Sequence, residues 1–202
     1  MNGFKYLPDY FSKNQQDQLV DWAMSVAEHA PWYTPAMHRT GKSMSVRMTC
    51  AGIFGWMSDQ ANGYRYEPRH PFTGAKWPAI TSTLIDLWHT VGNYDLAPEC
   101  CLINWYTAES KMGQHVDRDE DDRDAPVVSV SIGDTAVFRL GGLKRGGSTQ
   151  KVNLNSGDVM VLGGAARFAY HGIDRIRFGS SQRVPDGGRL NFTLRRVTKP
   201  SV

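Results

Sequence analysis

The chain has 202 residues, 41% of them hydrophobic and 21% charged, with a formal net charge of +3. That length suits one domain and buries a sizeable core. No run of about 18 apolar residues is present to span a membrane. Three cysteines without a C-x-x-C spacing, Cys50, Cys100 and Cys101, make neither a disulfide framework nor a zinc site. Buried thiols in a reducing compartment are expected instead. The start, Met1 to Lys5, has no apolar stretch after a basic one, so a cytoplasmic protein is expected. The mild positive charge suits a polyanionic partner without establishing one.

Taken in chain order, the first predicted element is a helix. Ser12 followed by Gln15 is a capping-box pattern. Leu19, Trp22, Ala23, Val26 and Ala27 then recur at helical spacing. Met44, Val46, Met48 and Cys50 alternate with polar residues, the period of a half-buried strand. A second helix is predicted to open at Pro78, to carry Ile80, Leu84, Leu87, Trp88 and Val91 on one face, and to stop at Gly92. Strands are then predicted at 101–106, 127–132, 136–140, 151–154, 158–162 and 189–196, several separated by Gly or Pro clusters. Helices early and strands late argue against alternating βαβ units. The expected fold is mainly β with flanking helices, an antiparallel double sheet.

Two constellations carry chemistry. His115 and Asp117 are two apart, so in extended chain both point to one side. With His171, in the context Tyr170-His171-Gly172, they make two His and one carboxylate, the residue types of a facial triad for non-heme Fe(II). The pair alone is a weak signal. Six His and fifteen Asp give roughly 0.45 such pairs by chance. Asp117 also opens an acidic run with Asp119, Glu120, Asp121, Asp122 and Asp124, and such a run taken alone is a solvated loop. It is not a calcium loop: counted from Asp117, position 6 is Asp122 rather than Gly and position 12 is Val128 rather than Glu. Taken alone, His171 is a buried, hydrogen-bonded histidine. His29, His38, His70 and His89 have no such context.

The second constellation is the segment 189–195. Arg189, Asn191, Thr193 and Arg195 share one face of a strand, and Leu190, Phe192 and Leu194 the other. The polar face either meets water or lines a barrel mouth, where a guanidinium pairs bidentately with a carboxylate. The two arginines are about 20 Å apart along an ideal strand, which strains a shared small ligand. Asn104 and Tyr106 share a face of a second strand and are candidate partners for the same ligand. Metal plus dicarboxylate anchor points to an oxygenase using 2-oxoglutarate. Gly41-Lys42-Ser43 lacks the earlier Gly of a P-loop, position 36 being Ala36. The run 141–147 fits no dinucleotide fingerprint and reads as a hairpin turn.

These residues together resemble the AlkB family of Fe(II)/2-oxoglutarate-dependent dioxygenases, and within it the bacterial DNA-repair branch. The likeness runs from about Met44 to Arg195. It includes Met44-Ser45-Val46, Gly55-Trp56, Gly63-Tyr64-Arg65-Tyr66, Lys76-Trp77-Pro78-Ala79 and Cys101-Leu102-Ile103-Asn104. It continues through residues 115–120, 125–131, 141–145 and 170–173 to the 189–195 strand. The resemblance implies a single dioxygenase domain over residues 1–202. Its parts would be a nucleotide-recognition lid at about 39–77 and a double-stranded β-helix (jelly-roll) core at about 100–196. It implies Fe(II) on His115, Asp117 and His171, with O2 as co-substrate. It implies 2-oxoglutarate on Asn104, Tyr106, Arg189, Asn191 and Arg195. It implies substrate contacts from Trp56, Tyr64, Tyr66, Asp119 and Arg145.

The activity implied is oxidative demethylation of 1-methyladenine and 3-methylcytosine in DNA, single strands preferred, with RNA a second candidate. The protein would be a monomer with no membrane partner. A base must leave the stack to be worked on, which gives the dense lid aromatics a purpose; the plainer account is a hydrophobic cluster under a long loop. Two departures stand out. The spacing from Trp56 to Tyr64 is one residue longer than the family pattern, and Leu162 stands where that pattern carries a Trp near the iron. Two other readings compete: an oxygenase of the same chemistry acting on a protein or small molecule, and a catalytically silent nucleic-acid-binding module.

Overall fold

The computed structural model describes residues 1–200. Its first strand, β1 (Phe4–Leu7), carries no clear signal in the sequence and is held by pairing with a later strand. Helix α1 (Lys13–His29) starts as its capping box dictates. Ser12 Oγ accepts from the Gln15 amide at 3.4 Å, and Gln15 Oε1 accepts from the Ser12 amide at 3.0 Å. Strands β2 (Val46–Gly52), β3 (Gly55–Asp59) and β4 (Gly63–Glu67) follow. Helix α2 (Ser82–Val91) begins four residues after Pro78, because the Pro78 carbonyl accepts from the Gly52 amide and holds that segment beside the end of β2. The remaining strands are β5 (Cys100–Tyr106), β6 (Met112–His115), β7 (Val127–Gly133), β8 (Thr135–Leu140), β9 (Gln150–Leu154) and β10 (Val159–Leu162), then β11 (His171–Arg177) and β12 (Arg189–Arg195). Strands β6 and β11 were not foreseen.

All pairings between strands are antiparallel. β5 pairs with β12, β6 with β11, β7 with β10 and β8 with β9. This is one long hairpin rolled on itself, the connectivity of a jelly roll. The roll closes into a six-stranded sheet, β1-β10-β7-β12-β5-β2, and a four-stranded sheet, β6-β11-β8-β9. The expected double-stranded β-helix core is therefore present. β3 and β4 form a separate two-stranded hairpin.

Period-2 alternation sends the two faces of the large sheet to different partners. Its outer face, with Ile103, Val128, Val130, Leu190, Phe192 and Leu194, packs against α1 and α2. Burying each such side chain contributes roughly 1.5–3 kcal/mol. Its inner face looks across at the small sheet, where Leu102, Met160 and Leu162 meet Phe138, Leu140 and Ile173. The polar residues of β12 lie on that inner face and are buried. The barrel-mouth alternative for this strand is the correct one, and the water-facing sheet is not.

A candidate metal centre and dicarboxylate pocket

The rolled hairpin places the end of β6 on the start of β11, so His115 and His171 are register partners. Their imidazole centroids lie 4.5 Å apart. Gly172 permits this approach: a Cβ there would stand 2.5 Å from the Met112 carbonyl oxygen. His115 Nδ1 lies 2.9 Å from the Gly113 carbonyl, and His171 Nδ1 lies 3.0 Å from that of Ala169. A carbonyl only accepts, so both rings carry their proton on Nδ1 and turn a bare Nε2 the other way. Both Nε2 atoms face Asp117, at 3.6 Å and 3.8 Å from its two carboxylate oxygens. One ligand atom from each of the three residues falls within 4.8 Å of the others. Burial pushes the His171 imidazole down to about 4, so it is neutral and available as a ligand near pH 7. Three lone pairs converging with no hydrogen between them repel one another, and a divalent cation is the group that fits. Asp117 is buried, unlike Asp119, Asp121 and Asp124 of the same acidic run. Its burial raises the carboxyl pKa, but Arg195 first and the two imidazoles next outweigh that and hold it well below the usual carboxylate range.

Beneath the triad, both sheets line one small cavity. Leu102, Phe138, Leu162 and Ile173 give it apolar walls. At its deep end Arg189 is 1% exposed. One nitrogen of its guanidinium donates to Ser131 Oγ at 2.8 Å and the group lies 5.1 Å from the Tyr106 ring centre. Its Nε and Nη1 have no partner among the described residues. No carboxylate forms a salt bridge with it within the described chain. A buried cation without an anion is costly, which makes this the natural seat for a ligand carboxylate.

Arg195 is placed differently. Nη2 donates to Asp117 at 2.8 Å and Nη1 donates to Glu120 at 3.1 Å and to the Tyr66 hydroxyl at 3.0 Å, leaving Nε unpaired. Both arginines border the one cavity from opposite ends of β12, so the 20 Å span is bridged by side chains reaching inward. Asn191 is saturated: it donates to Ser129 Oγ and the Val130 carbonyl, and accepts from Thr193 and, at 3.4 Å, from Asn104. The Asn104 carbonyl oxygen is buried and free. The Tyr106 hydroxyl donates to the Met112 sulfur at 3.7 Å.

The β3–β4 hairpin meets the acidic run that follows Asp117. Trp56 and Tyr64 stack with ring centres 5.6 Å apart, and the indole N–H of Trp56 donates to Asp119 at 2.8 Å. Tyr64 is 50% exposed, whereas Trp56 and Trp77 are buried among the inner-core residues. Tyr66 donates to Glu120 at 2.5 Å. Arg145 is exposed on the loop after β8 and donates to the Gln114 carbonyl at 3.1 Å.

Two residues at the site were missed. Glu120 is buried and receives Arg195, Arg167 and Tyr66. Arg167 is also buried and donates to the carbonyl oxygens of Asp117 and Ala125. A lone arginine in the otherwise apolar run Gly164-Ala165-Ala166-Arg167-Phe168-Ala169 was the available signal, because buried charges come paired. Glu120 had none of its own within an acidic run.

Comparison with known proteins agrees with this geometry. The family model described as 2OG-Fe(II) oxygenase superfamily matches residues 3–195. An "Alpha-ketoglutarate-dependent dioxygenase AlkB homolog" of Caulobacter vibrioides is 50% identical over 96% of this chain and 88% of its own. The Escherichia coli "Alpha-ketoglutarate-dependent dioxygenase AlkB" is 39% identical over 94% of this chain and 88% of its own. An Arabidopsis thaliana protein, "DNA N(6)-methyladenine demethylase ALKBH1C", is 27% identical over 96% of this chain and 48% of its own. Among solved structures, that of OsALKBH1 superimposes with a TM-score of 0.80 at 29% identity, covering 96% of both chains.

Proposed function

The chain belongs to the 2OG-Fe(II) oxygenase superfamily and to the AlkB dioxygenases within it, and from that premise we infer that it removes N-alkyl groups from nucleic-acid bases by oxidation. It is an Fe(II)/2-oxoglutarate-dependent dioxygenase. The observation that carries the oxygenase chemistry is that two recognition sites border one cavity: His115, Asp117 and His171 converge on one point, and the buried Arg189 guanidinium keeps two nitrogens without a protein partner.

We assign His115, Asp117 and His171 to the metal. With 2-oxoglutarate and O2, Fe(II) held there supplies an oxidant able to hydroxylate a C–H bond, the co-substrate leaving as succinate and CO2. The protein's own part is orientation. Arg189 takes the far carboxylate of 2-oxoglutarate, with the Tyr106 hydroxyl and the Asn104 amide beside it. Asn191 positions Asn104 rather than touching ligand, since its own hydrogen bonds are filled. Arg195 fixes the Asp117 carboxylate through one nitrogen and has Nε left for the near end of the co-substrate. Apolar walls from Leu162, Phe138 and Ile173 exclude water from the reacting end.

Residues 39–77 act as the recognition lid over a core at about 100–196. Tyr64, backed by Trp56, offers a face for an extruded base, and the free oxygen of Asp119 accepts from its exocyclic amine. 1-Methyladenine and 3-methylcytosine carry a positive charge that this acidic rim favours. A hydroxylated N-methyl group then falls off as formaldehyde, leaving the repaired base. Arg145 reaches the strand backbone from the rim. The name of the Arabidopsis relative, a DNA demethylase, supports the substrate class. Among the described residues no helix is long and apolar enough to cross a membrane. The same reading makes the protein a cytoplasmic monomer that prefers single-stranded DNA and accepts RNA second.

The test is anaerobic loading with Fe(II), followed by mass spectrometry of a 1-methyladenine oligonucleotide after addition of 2-oxoglutarate and O2. The methyl mass should disappear only when 2-oxoglutarate is present. Succinate formed with the methyl group still in place would keep the oxygenase and reject this substrate.

A further inference from the structure

The turn between β4 and Trp77 lies within residues 39–77 but supplies none of the contacts assigned above, and several hydrogen bonds hold it in shape. Phe72 at its tip is 77% exposed, the highest value among the large apolar side chains of the described residues. Beneath it His70 is buried. Its Nε2 lies 2.9 Å from the Pro31 carbonyl, which places the proton on that nitrogen and leaves Nδ1 as an acceptor. Nδ1 lies 3.4 Å and 3.2 Å from the amides of Phe72 and Thr73, which donate to it. Two backbone bonds, Gly74 to His70 and His70 to Ala75, close the turn, and Gly74 adopts the left-handed conformation (φ 68°) that lets it do so. The tip is therefore a fixed feature and not a loose loop.

Charge flanks it. Arg69 and Lys76 are bridge partners at its base, and both are exposed. Arg69 spends one nitrogen on the Gly74 carbonyl. Neither cation forms a salt bridge within the described residues. The turn is also coupled to the substrate face of the lid. Phe72 lies edge-on to Tyr33, with ring centres 6.5 Å apart, and the Tyr33 hydroxyl donates to the Trp56 carbonyl.

An exposed aromatic ring at the tip of a turn with two cations at its base has the chemistry of a single-strand nucleic-acid contact: a base stacks on the ring and phosphates meet the charges. We propose that the Arg69–Lys76 turn binds the substrate strand beyond the nucleotides that flank the extruded one, with Phe72 stacking on a base there and Arg69 and Lys76 on the adjoining phosphates. The proposal rests on the nucleic-acid reading above and adds a second contact to it. This contact selects for strand length rather than for the lesion.

The test compares steady-state demethylation of 1-methyladenine in a trinucleotide and in a 12-nucleotide single strand, for wild type, Phe72→Ala, Phe72→Trp and Lys76→Ala. Phe72→Ala should raise KM for the long strand by roughly 5- to 150-fold, the worth of one stacked base. Its kcat and its trinucleotide kinetics should stay at wild-type values, and Phe72→Trp should restore the long-strand KM. Lys76→Ala should lower the slope of log KM against log salt by about 0.7, one phosphate contact on a single strand. Equal long-strand KM in wild type and Phe72→Ala, or an equal loss on both lengths, would overturn the proposal. Wild-type turnover of the trinucleotide keeps the demethylase reading standing in that event. No wild-type turnover of either substrate removes that reading and the proposal with it.

Discussion

At the scale of the residue, two arginines from one strand have come to differ in kind. Arg189 is buried beside an aromatic ring with two nitrogens free, and burial lowers its pKa below the ordinary guanidinium value. Arg195 is also buried, but Asp117, Tyr66 and Glu120 outweigh that and raise it. The first is poised for a ligand's charge and the second is already neutralised by the protein's own. Arg189→Met should therefore raise the KM for 2-oxoglutarate by 10²-fold or so, on the order of the few kcal/mol lost with a charge-assisted pair, while metal affinity stays put. Arg195→Met should instead weaken Fe(II) binding, because the carboxylate it aligns is one we assign to the metal. Metal titration monitored calorimetrically, alongside 2-oxoglutarate kinetics, separates the two. Identical profiles for both variants would contradict the division. The alternation in 189–195 made one polar face legible in the sequence. That both arginines were equivalent was the natural reading of a period-2 pattern, which carries no information about which acidic residues the fold brings to each end.

At the scale of the element, the antiparallel pairing of β6 with β11 makes the metal centre, and neither strand was legible. β6 is four residues long, with Gly113 and Gln114 in its middle. β11 carries Asp174, Arg175 and Arg177 and shifts register twice, against β6 and against β8. Bulged, charged strands break the alternation by which a strand is recognised. β7 was legible from its run of Val and Ile, and β12 from its period-2 alternation. Helix α1 was legible from its cap, whereas α2 was placed too early because Pro78 serves the end of β2.

Elements are also tied by single side chains. Arg167, on the short helix after β10, joins Glu120 and the Asp117 backbone across a dry space. Arg167→Ala leaves Glu120 buried with one cation fewer and should cost roughly 3–5 kcal/mol in chemical denaturation. A loss below 1 kcal/mol would show that water enters freely there. β1 is tethered by the Tyr6 hydroxyl, which donates to Asp158 at 2.7 Å. Burial first and Asp158 next push this phenol up to about 12. The folded chain keeps a proton that the unfolded chain gives up near pH 10, so stability falls as pH rises from about 10 to 12. Tyr6→Phe should flatten that part of the stability curve; an unchanged slope would mean that β1 is already detached.

At the scale of the whole molecule, the jelly roll supplies a centre that does not depend on its ligands to fold. The metal-ligand side chains project from a scaffold closed by continuous sheet pairing, with helices covering its outer face. Asp117 already has Arg195 as a counter-charge. Removal of metal with a chelator should therefore leave the β-sheet circular dichroism unchanged and lower the melting temperature only by the binding free energy at the metal concentration used. Loss of secondary structure on chelation would show that the centre folds with its ion, as small zinc modules do. The roll also explains why the order of motifs along the chain said more than their spacing. His115 and His171 meet because the hairpin folds back on itself, and sequence distance is blind to that.

The most direct test of the central claim is a single-turnover measurement. Anaerobic protein loaded with Fe(II), limiting 2-oxoglutarate and 1-methyladenine single-stranded DNA is exposed to O2, and succinate, formaldehyde and repaired adenine are counted together. The account predicts one of each per 2-oxoglutarate consumed, and none in Asp117→Ala carried through the same procedure. Repair that proceeds without 2-oxoglutarate, or that survives in Asp117→Ala, would contradict it.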